Sequence, residues 1–276
     1  SVAGVVRAHR VARESGLKLI VGSEFTLEGG RRLVLLARDR ESYGDLAQLI
    51  TLGRRRAGKG AYRLTPEDIA EWGRRCLLLW LPDFRGNTDR PLLADSETVL
   101  SPAGSSWIAV ELLRDGWDRV RLQRAQNLSA ATGLPLVAAG DVHMHVRGRR
   151  ALQDTLTAIR LNTPLPHIGT ALASNGERHL RSRESLARLY PAELLAETLR
   201  VAERCRFSLD ELRYEYPDEI IPAGETPATW LRKLAEEGMR RRWPHGVSPK
   251  VRERIEHELA LIADLNYEPY FLTVHD

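Results

Sequence analysis

Residues 134–145 read LPLVAAGDVHMH, and the fold class turns on them. Leu134, Leu136, Val137, Ala138 and Ala139 form a short, nearly unbroken apolar run, the pattern of a strand buried on both faces. Gly133 before it ends a helix expected over about Val120–Ala131, and Gly140 with Asp141 breaks the run on its far side. A helix that feeds a doubly buried strand is half of a βα unit. The same texture lies upstream. Cys76–Leu81 is a continuous apolar run bounded by Pro82, and Trp107–Leu113 is another. Tyr43–Leu52 carries Leu46, Leu49, Ile50 and Leu52 at helical spacing, while Thr65 and Pro66 read as the cap and first residue of a further helix, with Glu67 and Asp68 in its first turn. Leu17–Phe25 and Leu33–Ala37 flank a Glu28-Gly29-Gly30 turn and read as a strand pair. Short apolar strands alternating with helices predict an α/β protein built of parallel βα units, either a barrel or an open doubly wound sheet. Periodicity does not choose between the two.

Beyond Arg147 the pattern is mainly helical, over Ala151–Leu161, Glu184–Leu189 and Ala192–Cys205, with Pro191 at a helix start. The polar, aromatic, Pro-containing stretch Tyr214–Pro222 is the expected boundary. Two more helices follow, opened by Thr226-Pro227 and Ser248-Pro249. With 276 residues, 43% hydrophobic and 28% charged, the chain has the makings of a full core and is neither disordered nor membrane-spanning in composition. No apolar run approaches the roughly 20 residues that a bilayer helix needs. Forty-one basic against 37 acidic residues leave a net charge of +4, too small to diagnose a nucleic-acid partner. The basic residues do cluster, at Arg54, Arg55, Arg56 and Lys59, at Arg147, Arg149 and Arg150, and at Arg240–Arg242. Cys76 and Cys205 have no metal-type spacing and lie in apolar surroundings, which fits a reducing cytoplasm. Ser1–Gly16 reads as an amphipathic helix bearing Arg7, His9, Arg10 and Arg13, without the apolar core of a signal peptide. The chain lacks an initiator Met and stops at Asp276 without a cap or turn, so truncation at both ends is expected.

For chemistry, the informative placement is Asp141 with His143, just past the strand Leu134–Ala139. In a βα barrel the functional side chains emerge at the carboxyl ends of strands, and residues two apart in extended chain point the same way. A carboxylate and an imidazole so placed can share a metal ion. The plain alternative is a polar turn that Asp141 caps while His143 satisfies a buried hydrogen bond. Glu24 follows Gly22 and Ser23 in the equivalent place after the strand Leu17–Val21, His145 continues the alternation, and Glu111 ends the run Trp107–Val110. His179 reads as a surface-loop residue and His257 as a solvated helix residue. Neither a Gly-rich phosphate loop nor an Asp-x-Asp pair, the simplest holder of two magnesium ions in nucleotidyl transfer, occurs in the sequence.

Longer runs carry a family likeness. GLKLIVGSEF (Gly16–Phe25), GDVHMHV (Gly140–Val146), ALQDTLTAI (Ala151–Ile159), NGERHLRS (Asn175–Ser182), RYEYP (Arg213–Pro217) and IEHELALIADLNYEPYFLTVHD (Ile255–Asp276) resemble the error-prone polymerases of the bacterial C family, relatives of the DNA polymerase III alpha subunit. The resemblance implies a PHP domain over residues 1–210, a distorted βα barrel lacking its amino-terminal part, followed over 211–276 by the mainly helical start of the polymerase core. It implies Glu24, Asp141 and His143 as members of the ancestral metal cleft, with zinc or manganese as the ion of a partly degraded site and weak or no hydrolytic activity. For the parent protein it implies damage-tolerant DNA synthesis on magnesium, with palm carboxylates beyond Asp276 and therefore no polymerase catalytic residue in this chain. The implied partners are DNA, deoxynucleoside triphosphates, mutagenesis accessory proteins and the sliding clamp, with no membrane. Two rival readings stand beside it: a free-standing PHP metal-dependent phosphoesterase, and a non-catalytic docking module whose arginine runs touch phosphates.

Overall fold

The computed structural model describes residues 1–84, 105–212 and 221–275. The chain divides into two compact units, Ser1–Leu212 and Arg213–Asp276. The first opens with helix α1 (Val5–Glu14) and then a hairpin of β1 (Gly22–Thr26) and β2 (Arg32–Leu36). The turn needs backbone that side chains resist, and Gly29 and Gly30 supply it at φ 87° and 83°. β1 begins five residues later than the apolar run does. Among the described residues it is an edge strand paired only with β2, in the register Gly22↔Leu36, and the Ala37 N–H to Val21 carbonyl bond of 2.8 Å closes the ladder, so residues 17–20 have no described strand opposite them.

Helix α2 (Arg40–Arg55) starts ahead of the expected Tyr43 because Asp39 caps it, taking the Ser42 amide at 2.9 Å while the Ser42 hydroxyl receives the Asp39 amide at 3.0 Å. Helix α3 (Pro66–Trp72) begins at Pro66 as its sequence predicts, with Asp68 accepting the Thr65 amide at 2.8 Å. Strands β3 (Leu77–Leu81), β4 (Ser106–Glu111) and β5 (Leu136–Ala139) follow, with helix α4 (Asp118–Thr132) between the last two. Gly133 ends α4 in the left-handed region, at φ 73°.

These five strands make one sheet in the order β1-β2-β3-β4-β5. The α/β class is as expected, and β3, β4 and β5 run parallel. β1 and β2 form the expected strand pair, antiparallel across the double-glycine turn, and the expectation of parallel βα units is corrected at β3, which pairs antiparallel with β2. The α2–α3 connection returns the chain to the sheet in the opposite sense, a choice to which hydrophobic periodicity is blind. Among the described residues the sheet is open, with β1 and β5 at its edges.

Alternate residues sort onto two faces. Leu33, Leu35, Leu78, Trp80, Ile108 and Val110 join Leu46 and Leu49 of α2 and Ala125 and Leu128 of α4 in the larger core. Leu77, Leu81, Trp107, Ala109 and Val137 pack on the other side with Val201 and Cys205. Each such aliphatic side chain, withdrawn from water, contributes roughly 1.5–3 kcal/mol. Past β5 come α5 (Arg150–Leu161), α6 (Arg183–Leu189) and α7 (Ala192–Arg204), the last covering the second face. The boundary stretch Tyr214–Pro222 falls mostly outside the described residues.

The second unit holds α8 (Pro227–Arg242), α9 (Pro249–Asp264) and α10 (Glu268–His275). Thr226 caps α8, with its hydroxyl taking the Thr229 amide at 3.2 Å. Ion pairs Arg232–Glu256 at 2.9 Å and Arg252–Glu236 at 3.1 Å link α8 to α9. Among its described residues Met239 and Leu272 are the buried side chains. No helix among the described residues is long and apolar enough to cross a membrane.

Candidate functional site

Because β2 is antiparallel to both neighbours, β1, β3, β4 and β5 all point one way, and the amino end of β2 lies on the edge where their carboxyl ends lie. That edge carries the polar residues. Glu111 ends β4, Asp141 follows β5, and Arg32 opens β2. A cleft of about 580 Å³ opens there, lined by Arg32, Trp80, Glu111, Leu113, Arg121 and Arg178 among others.

Asp141 and His143 come together, with His143 Nε2 at 3.6 Å from Asp141 Oδ1. They do not do so as alternate residues of an extended chain. Asp141 sits at φ 44°, in the left-handed region that costs a non-glycine residue on the order of 1 kcal/mol, so the backbone turns at it. Its other oxygen accepts Arg178 Nε at 2.5 Å. Glu24 lies in the middle of β1 rather than beyond a strand end, and its Oε1 accepts both Nε and Nη2 of Arg32, at 3.0 and 2.8 Å. His145 is exposed.

Arg178 reaches the cleft through a loop fastened at several points. Asn175 Nδ2 donates to the carbonyls of Leu113 and Arg114 at 2.8 and 3.1 Å, and its Oδ1 takes the Glu177 amide at 3.0 Å. Glu177, 7% exposed, accepts Arg147 Nη2 at 2.5 Å and Arg181 Nη2 at 3.2 Å. The Arg178 carbonyl takes the His143 amide at 2.9 Å, and the Leu180 amide donates to the Met144 carbonyl at 3.1 Å, so the loop lies along the Asp141–Val146 segment as a short extended pair. His179 is part of that pairing, bridged to Met144, and its Nε2 is buried without a hydrogen-bond partner, which corrects its reading as a surface-loop residue. Beneath the edge, the Tyr190 hydroxyl donates to the Ala139 carbonyl at 2.6 Å and accepts the Leu112 amide at 3.0 Å, holding the ends of β4 and β5 together.

Glu111 has the most perturbed acid of the cleft. Burial, and after it the charge of Asp141, pushes its carboxyl up to about 7, against the pull of Arg32 and Arg178. For Arg32, burial lowers the pKa, but the hydrogen bond and charge of Glu24, with the charges of Glu111 and Asp141, leave it raised. Arg32 and Arg178 carried no motif in the sequence. The only available signals were the double-glycine turn before Arg32 and the NGERHLRS run around Arg178.

As placed, these residues do not fit a metal ion. Glu24 and Asp141 are both turned onto guanidinium groups, and among the described residues no three of His, Cys, Asp and Glu are grouped to hold one. The basic runs are partly structural: Arg54 donates to the carbonyls of Gly60 and Ala61, each at 3.1 Å, and Arg56 holds Asp68 at 2.7 Å.

Similarity to known proteins extends along the whole chain. Residues 229–276 match the family model described as the bacterial DNA polymerase III alpha NTPase domain. The chain is 57% identical over 282 residues to an error-prone DNA polymerase of Dechloromonas aromatica, covering all of this chain and 27% of that protein. It is 57% identical over 282 residues to one of Methylococcus capsulatus and 53% identical over 276 residues to one of Pseudomonas aeruginosa, in each case covering all of this chain and 26% of the relative. The chain thus spans about a quarter of the length of the curated relatives it matches. Along its whole length, across both units, the chain is similar to proteins named error-prone DNA polymerase, and its residues 229–276 match a model of the bacterial DNA polymerase III alpha family.

Proposed function

We propose that the chain is the amino-terminal part of an error-prone, DNA-directed DNA polymerase acting in damage-induced mutagenesis and translesion synthesis in the cytoplasm. The observation that carries this is identity of 57% and 53% over all of this chain to proteins named error-prone DNA polymerase. In this reading residues 1–210 are a PHP-type domain, a distorted βα barrel completed by chain outside this sequence, and 211–276 begin the polymerase core. DNA, deoxynucleoside triphosphates, mutagenesis accessory proteins and the sliding clamp are the partners of the whole protein, and magnesium serves its nucleotidyl transfer.

Glu24, Asp141 and His143 are the remnant of a metal cleft. The ion pairs Arg32–Glu24 and Arg178–Asp141 support its being degraded and disfavour a free-standing metal-dependent phosphoesterase, because one oxygen of each carboxylate is already engaged by a guanidinium donor. Nucleotidyl transfer needs carboxylates that hold two metal ions, and the simplest such pair, Asp-x-Asp, is missing from this sequence. Purified chain 1–276 is therefore expected to give no primer extension, whereas the full-length protein containing it extends a primed template. Extension by the 276-residue chain that persists through repurification refutes the division of labour.

A further inference from the structure

We propose that Arg32 is the resident cation of the carboxylate cleft: its guanidinium, seconded by that of Arg178, supplies from within the chain the positive charge that a divalent ion would bring to Glu24, Glu111 and Asp141. The inference deepens the reading of the cleft as the remnant of a metal site and rests on it. It does not depend on the polymerase assignment, which primer extension tests separately.

Topology is the first support. β2 runs against both of its neighbours, so its first residue, Arg32, is delivered to the edge where the other strands present Glu111 and Asp141. An all-parallel sheet would place the amino end of every strand at the opposite edge. Geometry is the second. Arg32 grips one oxygen of Glu24 through two nitrogens, at 3.0 and 2.8 Å, and the other charges that act on it are those of Glu111 and Asp141. Arg178 holds Asp141 at 2.5 Å from the opposite side of the pair with His143. Both guanidiniums line the cleft.

Charge balance is the third. Arg32 pairs with Glu24 and Arg178 with Asp141, and the charges of both guanidiniums also act on Glu111, which has no ion pair of its own among the described residues. An incoming divalent ion would have to displace two donors already seated and sit beside two positive charges in a partly dehydrated space. Guanidinium–carboxylate hydrogen bonds belong to the strong, charge-assisted class. An always-charged group tethered to β2 also carries no translational entropy cost on arrival, unlike an ion from solution.

The test compares the whole 276-residue chain with Arg32→Met, which is of similar length and uncharged, and with Arg32→Lys. Metal content is measured after exposure to manganese or zinc at about 1 mM and desalting, and thermal midpoints are read with and without the ion, since a ligand that binds only the folded form raises the midpoint. The wild-type chain is expected to retain no stoichiometric ion and to melt at the same temperature in either condition. Arg32→Met is expected to melt lower without metal, to regain part of the loss with manganese or zinc, and to bind the ion at least about tenfold more tightly than wild type, because one positive charge has left the carboxylate group. Arg32→Lys, which keeps the charge, is expected to stay metal-insensitive.

A wild-type chain that holds one ion per molecule overturns the proposal. So does an Arg32→Met chain that folds and is as indifferent to metal as wild type. If Arg32→Met folds only when refolded with metal, the proposal is supported. If it folds in neither condition, the wild-type metal content decides alone: a stoichiometric ion overturns the proposal and none supports it.

Discussion

Replacing Glu111 by Gln tests the electrostatics of the cleft without changing the shape of the side chain. The Glu111 carboxyl has its pKa raised from 4.5 to about 7 in the folded chain, chiefly by burial and then by the charge of Asp141. A group with a raised folded pKa binds more protons folded than unfolded between those two values. The stability of the wild-type chain therefore falls with rising pH, at about 1.4 kcal/mol per pH unit from this group, starting near pH 4.5 and levelling off above about pH 7. The shift of 2.5 units, 7 minus 4.5, corresponds to an upper figure on the order of 3 kcal/mol at pH 8. Gln is neutral at every pH and escapes that loss. The assay is urea unfolding of wild type and Glu111→Gln at a series of pH values from 5 to 8, read as the difference between the two chains so that all other titrations cancel. The variant is expected to match or trail wild type at pH 5 and to become steadily more stable relative to it as the pH rises. A difference that stays flat across the range, or that turns against the variant at high pH, refutes the reasoning.

Other expectations follow from single contacts. Asn175→Ala removes two donors to the Leu113 and Arg114 carbonyls and the acceptor for the Glu177 amide, and should cost about 1–3 kcal/mol in chemical denaturation while increasing hydrogen exchange at Arg178 and Leu180. Leu78→Ala, at a fully buried β3 position, should cost about 2–5 kcal/mol by the same assay with the fold retained. Gly133→Ala forces a side chain onto φ 73° at the end of α4 and should lower stability by about 1 kcal/mol. Asp68→Ala removes the acceptor for both the Thr65 amide and Arg56 and should cost about 1–2 kcal/mol, most of it recovered by adding salt-independent capping through Asp68→Asn if the cap dominates over the ion pair.

The resolution of the sequence can be followed element by element. α3 starts at the Pro66 that the Thr-Pro signal names, and α4 ends at Gly133, because caps are local chemistry written in adjacent residues. β3, β4 and β5 lie in the continuous apolar runs, since a strand covered on both faces needs no alternation. Apolar periodicity places the start of α2 too late, because its cap, Asp39 with Ser42, precedes the apolar positions on which the periodicity rests. The same sequence pattern extends β1 back over residues 17–20, because a run of good strand formers does not reveal where the neighbouring strand stops.

For the site, sequence spacing drew attention to Asp141 and His143, and these do approach each other. It offered Glu111 only as a lone carboxylate and passed over Arg32 and Arg178, for they are 79 and 67 residues away from Glu111 in the chain and carry no motif of their own.

The amino-acid sequence by itself determined the local grammar: which stretches are helix or buried strand, and where caps and left-handed glycines end them; it also carried the family resemblance, in runs such as NGERHLRS. Only the tertiary structure decided the direction of β2 relative to β3 and the strands beyond it, and with it which charges meet. Apolar periodicity reports how much of a strand is buried but is the same for either direction of travel, whereas reversing one strand moves its first residue from one edge of the sheet to the other. That reversal puts Arg32 among Glu24, Glu111 and Asp141, and makes a cleft whose carboxylates suggest a metal into one held by guanidinium groups.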